Sequence, residues 1–203
     1  MKTTFDTLLV SEAAPHVLQV MLNRPKSANA FNTQMAHDLV EMFEQLTTDI
    51  GDFRIVIVTG SGERAFCAGG DLKERNGMTD AAWQAQHLIY ERMVRALMAC
   101  PLPLVGAING AAYGGGCELV SALDFAYASE TAKFAQTEVK LGIIPGAGGT
   151  QNLSRAIGKA RAMELILTGR PFTAAEAHEW GLINAVYSSN TLREAVLEIA
   201  CTI

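Results

Sequence analysis

The sequence predicts an α/β fold in which parallel strands are covered by helices. Composition and the order of the elements indicate the fold, and the length indicates the number of domains. Hydrophobic residues make up 49% of the 203-residue chain and charged residues only 18%, which provides enough apolar material for a large core. Short apolar runs alternate along the chain with longer segments whose apolar residues recur at helical spacing. The length suits one domain, and we assign residues 1–203 to a single domain.

The first elements in chain order are an expected hairpin and a helix. Residues 5–10 and 17–22 are apolar or alternating and are separated by an Ala-Ala-Pro turn. Asn32 is a suitable N-cap for a helix over residues 33–48, whose apolar residues share one face. The β-branched run at 54–59 is typical of a buried parallel strand.

The middle of the chain repeats this order of helix and buried strand. An amphipathic helix is expected over residues 79–99, and Pro101 follows it. A buried strand is expected at 102–108. Residues 109–114 form an expected turn that leads into a short helix from about Gly115.

The last third begins with two short strands and ends in helices. The strands are expected at 124–128 and 133–135, and a loop rich in glycine follows at 142–149. Helices are then expected near residues 150–156, 159–167 and 173–180. Because strands and helices alternate, the strands should pair in parallel.

Composition excludes several classes of function. The net charge of -5 argues against nucleic acid as a partner, since binding to phosphates needs a basic face. The four cysteines show no CxxC spacing, which indicates reduced thiols and a cytoplasmic location. The four histidines show no metal-ligand spacing, so we expect no metal. The uncharged run 96–116 contains prolines and glycines that would break a membrane helix, so we expect no membrane partner.

Three segments rich in glycine are the strongest functional signals, at residues 66–75, 108–119 and 141–153. None of them is a Walker phosphate loop, a dinucleotide-binding turn or a nucleophile elbow. Glycine between a buried strand and a helix leaves unpaired N–H groups at the positive end of the helix dipole. Such donors can stabilise a carbonyl oxygen that gains negative charge. Alternatively, these glycines serve only tight turns and close packing.

Two glutamates lie close to these segments. Glu118 follows Gly115 in an apolar stretch, which indicates a buried carboxyl group with a partner or a function. The alternative is an ordinary first-turn glutamate stabilised by the helix dipole. Glu138 lies near an expected strand end, where pairing with Lys133 or Lys140 at the surface is the alternative.

The glycine-rich segments, in their order along the chain, resemble those of a known protein family. The segments FCAGGDLKER, NGAAYGGGCEL and TEVKLGIIPGAGGTQ resemble signature segments of the enoyl-CoA hydratase/isomerase (crotonase) superfamily, and LNRPKSANAFN at 22–32 resembles its coenzyme-binding segment. The resemblance runs from about residue 5 to the end of the sequence. It implies a crotonase-like spiral of ββα units with surrounding helices. The spiral core would span about residues 5–190, and a C-terminal helical region would begin at about 191–203.

The resemblance also implies roles for individual residues. Gly70 and Gly115 match the two oxyanion N–H donors, and Glu118 and Glu138 match the catalytic glutamates of the hydratases, twenty residues apart. Members with other chemistry commonly replace one or both glutamates, so their joint presence favours hydration. The positions that match the coenzyme A site are Lys26, Ala28, Ala30, Ala68, Gly70, Lys73 and Gly115.

These matches predict an enoyl-CoA hydratase that adds water to a 2-enoyl-CoA and gives a 3-hydroxyacyl-CoA. We expect no cofactor beyond the coenzyme A of the substrate, and a homotrimer or dimer of trimers. Three alternatives remain. One is double-bond isomerisation, and one is a hydratase for 3-methylglutaconyl-CoA, whose branch of the family DLKERNGM also resembles. The third is a non-catalytic subunit that binds acyl-CoA.

The end of the sequence carries a further expectation. The family normally continues beyond this point into C-terminal helices, so we expect that this chain is a truncated form with an acyl pocket open on one side. The last apolar residues would then form a helical stripe without a partner. These residues are Leu192, Ala195, Val196, Ile199 and Ala200.

Overall fold

A computed structural model describes residues 2–203 as strands and helices in alternation. The strands are β1 Leu8–Ala14, β2 Val17–Leu22, β3 Ile55–Gly60, β4 Ala65–Cys67, β5 Leu104–Ile108, β6 Ala111–Tyr113, β7 Phe125–Ser129, β8 Lys133–Ala135, β9 Phe172–Thr173 and β10 Ala185–Tyr187. The α-helices are α1 Thr33–Thr48, α2 Leu72–Arg75, α3 Asp80–Met98, α4 Gly115–Ala122, α5 Gly149–Ile157, α6 Lys159–Thr168, α7 Ala174–Glu179 and α8 Leu192–Ala200. Short 3₁₀ helices cover Pro25–Ser27 and Glu138–Leu141.

The strands form two sheets, and from β3 to β8 successive strands along the chain alternate between them. The larger sheet has the order β1-β2-β3-β5-β7-β10, and the smaller has the order β4-β6-β8-β9. The successive pairs β3–β4, β5–β6 and β7–β8 each give one strand to each sheet, and all pairings among these six strands are parallel. This stepwise advance confirms the expected crotonase-like α/β spiral.

Most elements expected from the sequence are present, and the exceptions are short. β1 and β2 form the expected antiparallel hairpin. The expectation of a plain turn at 109–114 is wrong, because β6 lies within it. Glu138 does lie near a strand end, three residues after β8, and it begins a 3₁₀ helix that was not expected. Strands of two or three residues, such as β4, β6, β9 and β10, are too short to show a period of two.

The core lies between the sheets and the helices that cover them. Helix α1 begins at the expected N-cap, where the Asn32 side chain accepts a hydrogen bond from the Met35 N–H. Met35, Leu39 and Phe43 on its inner face are fully buried. Helix α3 packs against α1, so both helices cover the same side of the molecule. No helix among residues 2–203 is both long and apolar enough to cross a membrane.

Helix α8 corrects the expectation of an unpartnered stripe. Leu192, Val196 and Ala200 are buried in a cluster with Ile57 and Val105, on a face of the larger sheet. Ala195 and Ile199 are half-buried. A helix of this length is marginal in isolation, and docking on the sheet provides the apolar burial that stabilises it.

Candidate active site

The main cavity of the molecule lies beside the start of α4 and has a volume of about 550 Å³, within the range of small-molecule sites. One wall consists of glycines that follow the strands of the smaller sheet. The other wall consists of side chains of α3 and of the loop after Glu138. The residues that line the cavity include Phe31, Ala68, Gly69, Gly70, Arg75, Trp83, His87, Tyr90, Gly114, Gly115, Glu118, Glu138 and the segment 141–147.

The two predicted oxyanion donors are neighbours across this wall. Gly69 has a φ of +85°, and a Cβ atom there would lie 2.9 Å from the Gly115 nitrogen. The segments after β4 and β6 therefore touch, and only glycine fits at Gly69. The N–H groups of Gly70 and Gly115 donate to no acceptor among residues 2–203. Both residues line the cavity. Two unpaired N–H groups are thus available to one ligand oxygen.

Backbone contacts hold the first of these segments in place. The Phe31 N–H donates to the Gly69 carbonyl oxygen at 2.7 Å, and the Asp71 N–H donates to the Phe31 carbonyl oxygen at 2.8 Å. The Asp71 carboxylate caps α2 and pairs with Arg24 at 2.9 Å. Burial raises the pKa of this carboxyl group, but the Arg24 contact and the α2 N–H groups outweigh it, so the pKa lies below its usual value.

Glu118 is buried in the first turn of α4, with 3% of its surface exposed. Its Oε1 accepts hydrogen bonds from the N–H of Ala147 at 2.7 Å and of Gly149 at 2.9 Å. Burial raises the pKa of this carboxyl group, and the N–H groups of Gly149, Ala147 and Gly146 act in the opposite sense. These N–H donors stabilise the carboxylate and limit the shift, but burial prevails, so the pKa of Glu118 lies above its usual value.

Glu138 is also buried, with 8% of its surface exposed, but its surroundings differ. Its Oε2 atom has no hydrogen-bond partner in the described part of the chain. Burial, and to a smaller extent the charge of Glu118, raise the pKa of Glu138 to about 7. The alternative of a surface ion pair fails, because Glu138 forms none with Lys133 or Lys140 among the described ion pairs.

The cavity therefore brings the four predicted catalytic residues together. A Cβ atom on Gly114 would lie 3.3 Å from Glu138 Oε1, so Glu138 faces the start of α4. Gly70, Gly115, Glu118 and Glu138 all line the cavity. One carboxyl group that accepts two backbone N–H bonds and one whose pKa is raised to about 7 form a pair suited to acid–base chemistry on a molecule held by the free N–H groups.

The predicted coenzyme-binding residues divide into two groups. Ala68, Gly70 and Gly115 line the cavity. Lys26, Ala28, Ala30 and Lys73 are not among the lining residues. Lys26 and Lys73 are exposed, whereas Ala30 is buried and its carbonyl oxygen accepts a hydrogen bond from Arg24 Nη1 at 2.6 Å. The structure does not bring these four side chains to the cavity.

The segment around Ala28 nevertheless touches the cavity wall. The Ala28 carbonyl oxygen accepts a hydrogen bond from the Ala68 N–H at 3.1 Å. The buried Asn29 side chain donates to the carbonyl oxygens of Ser61 and Ala65. This segment is therefore fixed beside β4, next to the predicted oxyanion donors.

Several cavity residues were missed by the sequence reasoning. The backbone donors to Glu118 come from the GAGG stretch at 146–149, whose glycines were visible but whose partner was not. Trp83, His87 and Tyr90 were not predicted, because α3 looks like an ordinary amphipathic helix, and Arg75 was not singled out within the segment 66–75. Gln136, which is fully buried but does not line the cavity, was also not predicted, and its amide atoms have no partner among residues 2–203.

Comparison with known proteins gives consistent matches. A family profile described as enoyl-CoA hydratase/isomerase matches residues 12–203. A Mycobacterium tuberculosis protein named "Probable enoyl-CoA hydratase echA8" is 43% identical over 98% of this chain and 76% of its own length. The 1,2-epoxyphenylacetyl-CoA isomerase of Escherichia coli is 38% identical over 95% of this chain and 74% of its own.

A solved structure agrees with these matches. The crystal structure of an enoyl-CoA hydratase from Bacillus anthracis superposes with a TM-score of 0.94 at 43% identity. The superposition covers 97% of this chain and 76% of that one. The present chain thus spans about three-quarters of the length of the proteins that it matches.

Proposed function

The chain belongs to the enoyl-CoA hydratase/isomerase family, and we propose that its cavity adds water across the 2,3 double bond of a 2-enoyl-CoA thioester. The product is a 3-hydroxyacyl-CoA. One observation carries the proposal: Glu118 and Glu138 share a cavity, and only at Glu118 do backbone N–H groups of residues 146–149 oppose the effect of burial on the pKa. Water addition needs both a base and an acid, and this pair supplies them.

The thioester carbonyl is activated by the backbone. Its oxygen lies between the N–H groups of Gly70 and Gly115, which have no other acceptor within the described chain. These donors polarise the carbonyl and the conjugated double bond, so that C3 becomes electrophilic. They then stabilise the enolate oxygen, on which negative charge develops as water attacks.

Two proton transfers complete the addition. The Glu118 carboxylate takes a proton from a water molecule as the water oxygen bonds to C3. Glu138 gives its proton to C2, which becomes the second new bond of the product. The substrate thereby gains one water molecule. The two glutamates return to their starting state when Glu118 releases its new proton and Glu138 takes up a proton.

The proposal includes the remaining binding partners. The substrate brings its own coenzyme A, and no other cofactor or metal takes part. The exposed Lys26 and Lys73 ammonium groups offset the coenzyme phosphates, and the backbone segment around Ala28 and Ala30 contacts the coenzyme beside Ala68. The assembly is a homotrimer or a dimer of trimers, supported by exposed apolar residues such as Ile144 and Leu167.

A mass-spectrometric assay tests this function. The purified protein is incubated with crotonyl-CoA, and the thioester is followed for the gain of one water molecule. We expect 3-hydroxybutyryl-CoA, formed at a rate that Glu118→Gln and Glu138→Gln each reduce strongly. Light scattering on the same sample measures the assembly. Binding of the thioester without any change in its mass would contradict the proposed hydration, and a non-catalytic subunit would in addition leave a 3-enoyl-CoA unchanged.

Double-bond isomerisation is the second candidate, and one observation favours it. Glu138 has a pKa of about 7, so a single carboxyl group could remove and return a proton at neutral pH. The same assay with a 3-enoyl-CoA separates the two reactions, because isomerisation leaves the mass unchanged and gives the conjugated 2-enoyl thioester, which absorbs in the ultraviolet.

A further inference from the structure

An arginine lies inside the cavity, next to a proposed oxyanion donor. Arg75, the last residue of α2, is a half-buried lining residue. A Cβ atom on Gly70 would lie 3.4 Å from Arg75 Cζ and 3.5 Å from Arg75 Nη1. The guanidinium group therefore lies beside the position proposed for the thioester carbonyl. No step of the proposed hydration uses this charge.

The orientation of Arg75 is fixed by neutral partners. Its Nε–H donates to Gln86 Oε1 at 2.9 Å. Its guanidinium carbon lies 5.0 Å from the centre of the Tyr90 ring and 6.0 Å from that of Trp83. These rings line the same cavity and hold the plane of the guanidinium in place.

The charge of Arg75 has no carboxylate partner. Among the ion pairs of residues 2–203, Arg75 takes part in none. The neighbouring carboxylate of Glu74 is already bound by the Thr33 N–H at 2.9 Å and by Gln86 Nε2 at 2.8 Å. The Nη groups of Arg75 are thus left for a ligand, whereas Arg92, which lies outside the cavity, is paired with Glu44.

We propose that Arg75 binds a carboxylate on the acyl group, so that the preferred substrate is an enoyl-CoA whose acyl group carries a carboxylate. This inference rests on the proposed function, because it takes the thioester carbonyl to lie at Gly70 and Gly115. An acyl group that extends from there along Arg75 places a carboxylate a few bonds beyond the double bond against the Nη groups. A planar guanidinium matches a carboxylate with two parallel hydrogen bonds.

An apolar acyl group would fit this part of the cavity less well. It would cover the guanidinium and remove its remaining N–H donors from water without a replacement acceptor, which is unfavourable. A carboxylate satisfies those donors and neutralises the charge. The arginine therefore both favours one class of acyl group and disfavours the other, as specific sites commonly do.

Two thioesters of equal size test the inference. Glutaconyl-CoA carries a terminal carboxylate, and in 5-methylhex-2-enoyl-CoA an isopropyl group with the same number of heavy atoms replaces it. We expect the wild-type kcat/KM to favour glutaconyl-CoA by about 10- to 100-fold. Arg75→Met removes the charge at similar length and should abolish this preference, and Arg75→Lys should restore part of it. Arg92→Met, the control, should keep it.

Binding measurements separate failure of this inference from failure of the proposed function. Calorimetry with saturated glutaryl-CoA, 5-methylhexanoyl-CoA and free coenzyme A needs no turnover. Loss of the glutaryl preference in Arg75→Met supports the inference even if no thioester is hydrated. A wild type that hydrates crotonyl-CoA but shows no carboxylate preference overturns it and leaves hydration intact. If Arg75→Met weakens the binding of free coenzyme A as much as that of glutaryl-CoA, the inference is also overturned, because the arginine then binds coenzyme phosphates.

Discussion

Glu118 and Glu138 are the same residue type in the same cavity, and the backbone around them makes them chemically different. Glu118 lies at the start of a helix and receives two N–H groups from the loop at 147–149. Glu138 lies on a 3₁₀ turn, and one of its oxygens has no partner within residues 2–203. Both are buried, so burial alone cannot distinguish them.

The backbone donors, and not the depth of burial, distinguish the proposed base from the proposed acid. Burial raises the pKa of both carboxyl groups. At Glu118 three backbone N–H groups oppose that shift, whereas Glu138 lacks comparable donors and has a neighbouring negative charge. Of two buried carboxyl groups, the one that accepts more N–H bonds ionises more easily, which is why we propose Glu118 as the base and Glu138 as the acid. The loop at 146–149 is therefore as important to the chemistry as the glutamates themselves.

Removing either carboxyl group should have the largest effect. Glu118→Gln and Glu138→Gln each remove one proton-transfer group, and we expect each to reduce hydration of crotonyl-CoA by about 10²–10⁴-fold. Thioester binding should change little, because glutamine preserves size. Steady-state kinetics and calorimetry measure the two quantities.

The double variant tests whether the two glutamates act together. Since both act on the addition of one water, it should lose much less than the product of the two single losses. Glu198→Gln, on the exposed face of α8, is the matched control and should keep full turnover. Fully multiplicative losses would show that the two glutamates serve independent steps.

The backbone donor at Gly115 should have the next largest effect. Gly115→Pro removes the N–H, and loss of one oxyanion donor typically costs about 2.7–4 kcal/mol in the transition state. Gly115→Ala is the matched control, because it keeps the N–H and its Cβ would contact Gly69 and Phe31 at an ordinary 3.5 Å. We expect the proline variant to lose far more kcat than the alanine variant. Circular dichroism checks that both fold, and equal losses would remove this donor from the mechanism.

The sequence predicted which candidate residues meet in one cavity better than it predicted their surroundings. Gly70, Gly115, Glu118 and Glu138 lie in contiguous motifs, and the structure brings all four to one cavity. The partners of Glu118 lie 29 and 31 residues later in the chain, and no local pattern reports such a distant contact. Tertiary packing determines which backbone N–H groups reach Glu118.

At helix α8 the sequence predicted the element correctly, but our expectation about its packing was wrong. Its apolar spacing correctly predicted a helix with one buried face. The spacing says nothing about what covers that face, and we expected a missing partner, whereas Leu192 and Val196 pack on the larger sheet of the same chain. Amphipathicity predicts burial, and the topology of the fold determines where it occurs.

The difference between the two glutamates should appear in the pH dependence of turnover. Hydration needs Glu138 protonated, and its pKa is about 7. We therefore expect kcat/KM to fall as the pH rises above about 7, by up to about tenfold per pH unit. In Glu138→Gln the residual rate should lose this alkaline limb, because glutamine does not titrate. A wild-type profile that rises through pH 7 would show that Glu138 acts as a base, which exchanges the two assigned roles.

The smallest expected effect concerns stability. The pKa of Glu138 is raised from an ordinary 4.5 to about 7, so between these pH values the folded chain holds a proton that the unfolded chain has released. Stability from this group is complete below pH 4.5 and is lost as the pH rises towards 7. Glu138→Gln removes that loss, so the variant should gain about 1–3 kcal/mol relative to wild type between pH 5 and pH 8. Urea unfolding at both pH values measures the change, and Glu198→Gln should follow the wild type. Parallel pH dependence in wild type and Glu138→Gln would mean that the folded protein does not hold the proton, and the acid in the mechanism would have to come from another group.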